Sequence, residues 1–84
     1  MLQLMFFARV KEELGCGELQ VPWSAEVASL DALQQSLCHE HGDSWRVVLE
    51  QDNMIRAVNH TVVEGDCALR DGDEVAFFPP VTGG

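Results

Sequence analysis

The sequence predicts an α+β fold with one main helix packed on one face of a sheet, and two observations carry that expectation. The first is an apolar stripe at helical spacing, Leu30, Leu33 and Leu37, with Gln34, Gln35 and Glu40 off it. The second is the set of short strand-like runs around that helix, two before it and three after. Strands on both sides of one amphipathic helix make a two-layer arrangement in which the helix covers one face of the sheet.

Leu2 to Phe7 reads as the first strand, with Leu2, Leu4 and Phe6 on a core face and Gln3, Met5 and Phe7 on the other. Ala8 to Leu14 reads as a short helix. Val10 and Leu14 lie on its inner side, Lys11, Glu12 and Glu13 face outward, and Gly15 and Gly17 end it. Glu18 to Val21 is a second strand, pairing back on the first and closed by Pro22. The main helix runs from Leu30 to about His41. Ser29 is its N-cap, Asp31 stands in the first turn where the helix dipole favours an acid, and Gly42 is its stop.

Trp45 to Leu49 is a short apolar turn or helix, and Glu50 to Asn53 a polar loop. Met54 to Val58 is a third strand, Asn59-His60 a turn, and Thr61 to Val63 a fourth strand. Gly65 to Arg70 connects onward with Leu69 tucked in. Asp71-Gly72-Asp73 is a tight turn, and Glu74 to Phe78 is the last strand.

Length and charge narrow the function. The 84 residues suit one domain over 1–84, with a body of about 1–78 and a tail of 79–84. Fourteen acids against five Lys and Arg give a net charge of −9, so a nucleic-acid partner is not expected: phosphate binding needs a basic face. An acidic surface suits a partner with a basic one. No run approaches the roughly 18 apolar residues of a membrane span, and no secretory signal is visible. Three scattered cysteines, Cys16, Cys38 and Cys67, fit a reducing cytoplasm better than a disulfide framework.

Candidate chemistry within the body is thin. Cys38-His39-x-His41 clusters ligand atoms at a helix end, but structural zinc takes four ligands and no second pair stands at zinc spacing, so a solvated helix end is expected. Asp71 and Asp73 flank a Gly as turn residues do, and His60 reads as a surface residue. Ser24, Ser36 and Thr82 have no His/Asp partner pattern, and the scattered glycines form no phosphate cradle.

The end of the chain is different. Pro79-Pro80 terminates the last strand, because neither proline has an N–H for a sheet ladder. Residues 79–84, fully extended, would reach about 20 Å. The diproline stiffens the exit, and Gly83-Gly84 makes a slim terminus suited to a narrow channel. The one reactive group left is the Gly84 α-carboxylate.

The motif FFPPVTGG, with Leu4-Met5-Phe6-Phe7-Ala8-Arg9-Val10 and Ala57-Val58-Asn59, resembles the small subunits of molybdopterin synthase. These are sulfur carriers of the ubiquitin-like β-grasp superfamily. The match spans nearly the whole chain, and the tail is its specific part. The resemblance implies a β-grasp whose first and last strands lie side by side and parallel in a mixed sheet. It also implies a chain that is no enzyme by itself. An ATP-dependent, E1-like activating enzyme would adenylate Gly84, a sulfur-relay protein would convert it to a thiocarboxylate, and the large synthase subunit would take the tail. There the sulfur would pass to a pterin precursor, cyclic pyranopterin monophosphate, building the molybdopterin dithiolene in an assembly of two small and two large subunits. No cofactor or metal bound by this chain is expected.

Gly84 is then the reactive residue, and Gly83 must be small. Phe7, Lys11, Phe78, Pro79, Pro80, Val81 and Thr82 are the expected partner contacts. Met5, Phe7, Ala76 and Phe78 would cluster outward if the two strands are neighbours. Members of the family often carry Arg at the position of Lys11; Lys keeps the charge but lacks the planar fork. The cysteines belong to no motif of the family and read as packing residues. Two other readings stay open here: a carrier for another pathway such as thiamine thiazole synthesis, and a ubiquitin-like modifier that never carries sulfur. The Phe77-Phe78-Pro79-Pro80 lead-in argues against the first. A single lysine, Lys11, weakens the second.

Overall fold

The sheet is organised by two strands from opposite ends of the sequence. In a computed structural model that describes residues 1–80, β1 (Leu2–Phe6) and β5 (Glu74–Phe78) pair in parallel, with Leu4 beside Val75 and Phe6 beside Phe77. β2 (Glu18–Val21) flanks β1 antiparallel, and β3 (Ile55–Val58) flanks β5 antiparallel. β4 (Thr61–Val62) closes the other edge, giving the order β2-β1-β5-β3-β4. This is the mixed β-grasp sheet that the resemblance implied.

Alternation decides what each face buries. Leu2, Leu4 and Phe6 of β1 and Val75 and Phe77 of β5 are buried. Against that face lie α1 (Ala8–Leu14), α2 (Leu30–His41) and α3 (Asp43–Leu49). Leu30, Leu33 and Leu37 supply the stripe of α2, and Trp45, Val48 and Leu49 that of α3. Phe6 is the aromatic hub: its ring centroid lies 5.6 Å from Phe77, stacked, and 5.5 Å from Trp45, edge on. Both separations fall in the favourable range for aromatic pairs.

The termini of α2 behave as their residues dictate. The Ser29 hydroxyl accepts from the Ala32 N–H at 3.2 Å. The connector before β5 adds a second cap, since Asp66 Oδ1 accepts from the Asp31 N–H at 2.8 Å. Leu30 N–H donates to Cys67 O and Leu69 N–H to Ala28 O, which ties the connector to the start of the helix and buries Leu69. Arg56, on the helix side of β3, bonds Asp31, Gln34 and the Gly65 carbonyl, joining three segments with one guanidinium. At the far end, Gly42 at φ +88° both ends α2 and begins α3.

Several boundaries differ from expectation for local reasons. The first strand stops at Phe6, and Phe7 caps α1; its carbonyl accepts from the Val10 and Lys11 amides. The third strand starts at Ile55 because the Met54 N–H turns back to Gln51. The fourth is two residues, Thr61–Val62. A 3₁₀ turn, Ala25–Val27, buries Val27 in a stretch with no helical periodicity to announce it. The Cys38-His39-x-His41 end is not simply solvated: Cys38 is buried in the core, and the His41 ring stacks 3.8 Å from that of Trp45.

Two aspartates in turns set an acid limit on stability. The Asp31 N–H, then the Cys67 N–H, hold the Asp66 carboxyl below its ordinary value of 3.8. The Arg70 N–H, with the Asn59 amide, does the same for Asp73. A carboxylate with a depressed folded pKa contributes stability that is full above the unfolded value and lost as pH falls through the folded one. Melting temperature should therefore be flat from neutral pH to about 5 and fall below about 4. Asp66→Asn keeps an acceptor oxygen but no titration, so its decline between pH 4 and 2 should be shallower. An acid decline identical to that of the unaltered chain would remove Asp66 from this role.

Candidate functional site

The parallel register of β1 and β5 brings the residues after each strand to one end of the sheet. Phe7 follows Phe6, Phe78 follows Phe77, and the Phe7 N–H donates to the Phe77 carbonyl at 3.2 Å. The two rings meet edge to face with centroids 6.5 Å apart. Phe7 is 45% exposed and Phe78 half-buried, on the face opposite the helices. Met5 lies beside Ala76 on that face, as expected.

The strip is wider than the sequence indicated. Ile55 stands opposite Phe78, Ala57 opposite Ala76, and Val62 opposite Ala57. These residues continue the apolar face to the β4 edge, where Val62 is 58% exposed. Phe78, Ile55, Val62 and Val63 line a shallow depression of about 380 Å³. The alternation of Ile55 and Ala57 was visible in the sequence, but their placement beside Phe78 depends on strand pairing, which it did not reveal. Contiguous exposed apolar residues are a general feature of interaction surfaces.

The tail leaves beside this strip. Pro79 and Pro80 are half-buried and, with Ala8, Arg9 and Asn53, line an open cleft of about 290 Å³. Arg9 and Asn53 were not foreseen, since nothing local links a loop at 53 to the exit at 79. Ala8 takes φ +52°, turning the chain from β1 into α1 at this point. Lys11 is exposed on α1, and its side chain lies over Gly17, where an added Cβ would come within 2.9 Å of Cε. Val81, Thr82, Gly83 and Gly84 lie outside the described residues.

The other candidates are structural. Asp73 is occupied by the Arg70 N–H and the Asn59 amide, and Asp71 pairs with the N-terminal ammonium. His60 is exposed and lies 3.3 Å from Glu74. Burial pushes the Cys38 and Cys67 thiols up, away from the thiolate a nucleophile needs. Cys16 and Cys67 pack at the margin of the core. Among the described residues no three His, Cys, Asp or Glu side chains group as metal ligands, and no helix is long and apolar enough to cross a membrane.

Comparison with known proteins covers the whole length. The model of the ThiS family matches residues 4–84. The chain is 44% identical to the molybdopterin synthase sulfur carrier subunit of Escherichia coli and 38% identical to that of Haemophilus influenzae, over the full length of both partners in each case. It also superposes on a solved structure from Pyrococcus furiosus described as a molybdopterin converting factor, subunit 1. The TM-score there is 0.76 at 26% identity, covering 95% of this chain and 97% of the other.

Proposed function

Since the chain belongs to the ThiS family, we propose that it is the sulfur-carrier subunit of a molybdopterin synthase. The observation that carries this reading is full-length identity to two curated carriers of that name. The tail sequence Pro79-Pro80-Val81-Thr82-Gly83-Gly84 supplies the chemistry.

Among the described residues no nucleophile stands beside a base, which supports reading the chain as a donor. Its reactive group is the Gly84 carboxylate. A carboxylate is a poor acyl donor until a better leaving group is attached. An activating enzyme would join it to AMP from ATP with loss of pyrophosphate, and a sulfur donor would then displace AMP to leave a thiocarboxylate. In the large subunit that sulfur would pass to the pterin precursor, with water restoring the carboxylate. Glycine suits each step, since any Cβ would crowd both the activating site and the transfer channel. The Phe7–Phe78 strip and the half-buried diproline would dock the body so that the tail enters the partner, two carriers serving two large subunits in the cytoplasm.

The test is reconstitution. Intact mass should show one oxygen exchanged for sulfur after incubation with activating enzyme, ATP and a sulfur donor. That species, mixed with the large subunit, should sulfurate cyclic pyranopterin monophosphate. A carrier that becomes thiocarboxylated but sulfurates only with proteins of thiazole synthesis would reassign the pathway. A chain that never gains sulfur would end the carrier reading.

The docking strip has its own test. Phe7→Ala and Phe78→Ala should each weaken binding of the large subunit by about 1–3 kcal/mol, the range for interface anchors. Melting temperature should change little, because neither ring is in the core. Unchanged binding with a large thermal loss would place the side chain in the fold instead.

A further inference from the structure

The cleft at the root of the tail has a composition that selects its occupant. Its walls are Ala8, Arg9, Asn53, Pro79 and Pro80. The prolines have no N–H, whereas Arg9 and Asn53 both carry side-chain donors. Arg9 is 57% exposed, and among the described residues its one ion pair is with Glu13, at 3.6 Å through Nε, longer than a hydrogen bond. Two other arginines are engaged more closely: Arg46 lies 3.2 Å from Glu50, and Arg56 lies 2.7 Å from Asp31 with its side chain only 15% exposed. In a chain of net charge −9, the cleft is therefore a place where an anionic group meets an exposed guanidinium whose one ion pair among the described residues is a long one on its own helix.

We propose that this cleft receives an aspartate or glutamate side chain of the large subunit, with Arg9 as its charged partner and Asn53 as a second donor. The inference rests on the reading of the chain as a synthase subunit and adds a specificity contact to it. A carboxylate would be repelled over most of this acidic surface, so accepting one here fixes the register of docking. Charge complementarity of this kind contributes more to specificity and association rate than to raw affinity. The position at the tail's root matters too, because a small error in seating there is carried to the reacting end.

The experiment measures binding of the full-length carrier to the large subunit by titration calorimetry at low and at physiological salt. Arg9→Ala should bind about 10-fold more weakly at low salt, with a shallower salt dependence than the unaltered carrier. Arg9→Glu should be weaker still, Arg9→Lys should recover part of the loss, and Asn53→Ala should lose about 3-fold. Melting temperatures should match throughout, since Arg9 and Asn53 are exposed. Binding by Arg9→Glu within about twofold of the unaltered carrier, or an unchanged salt slope in Arg9→Ala, would overturn the proposal. The unaltered thiocarboxylate is assayed for pterin sulfuration in parallel. Its failure would sink the functional reading itself, whereas its success with an indifferent Arg9→Glu sinks only the cleft.

Discussion

Adding one residue after Gly84 should abolish sulfur delivery while leaving the fold intact. On the proposed mechanism the chemistry takes place at the terminal carboxyl carbon, and one further residue would move that atom by about 3.5 Å. Misplacement of that order removes most of the advantage of a positioned reactant. Deleting Gly84 leaves a terminal glycine that is one residue short, and Gly83→Val puts a β-branched side chain where, on the proposed mechanism, the tail would enter a channel. All three variants should melt like the unaltered chain, because among the described residues Phe77 is the last that is buried in the core. They should bind the large subunit nearly as well through the Phe7–Phe78 strip. Intact mass after activation, and then pterin sulfuration, should each show a loss of at least about 100-fold at one step or the other. An extended carrier that sulfurates the pterin at the normal rate, with no trimming detected by mass, would refute the mechanism.

The largest effect on stability should come from Phe77→Ala. Phe77 is fully buried, stacks on Phe6 and shares the core face with Val75. Truncation of a buried Phe costs about 3–5 kcal/mol, against about 5–15 kcal/mol for the whole stability of a typical domain. A drop of roughly 12–40 °C in melting temperature follows for a chain of this size. Its neighbour Phe78 faces the other way, so Phe78→Ala should shift the melt by only a few degrees. Comparable shifts for the two variants would contradict the assignment of faces.

The elements that could be read from sequence were those set by local chemistry. Ser29, Asp31 and Gly42 delimit α2 through capping and a positive φ, and its bounds, Leu30–His41, are those expected. Alternation within Glu74–Phe78 is enough to put Phe77 on the core face and Phe78 on the other. The parallel pairing that joins those strands came from resemblance, since no local signal encodes a partner at the other end of a chain. For the same reason Ile55 and Val62 were not assigned to the apolar strip, nor Arg9 and Asn53 to the cleft. Asp66 lies in the connector with no local signal of its own; its role as a second cap on α2 exists only once the connector has docked. The 3₁₀ turn at Ala25–Val27 is too short to carry a period. The reading of Gly84 as the reactive end rests on the tail motif FFPPVTGG and on the resemblance that motif carries, and it falls outside the described residues.

The parallel pairing of β1 with β5 also has a consequence for synthesis. β1 emerges well before β5, yet its inner neighbour consists of residues Glu74–Phe78. A chain interrupted anywhere before Glu74 has β2 on one side of β1 and nothing on the other, with Leu4 and Phe6 lacking Val75 and Phe77. Closing a sheet over so long a separation is slow and cannot begin until the last strand is available. Translation therefore yields a folded body only when the segment leading into the glycines has also been made. Products interrupted before Glu74 would remain open to proteolysis rather than accumulate as bodies competent to dock.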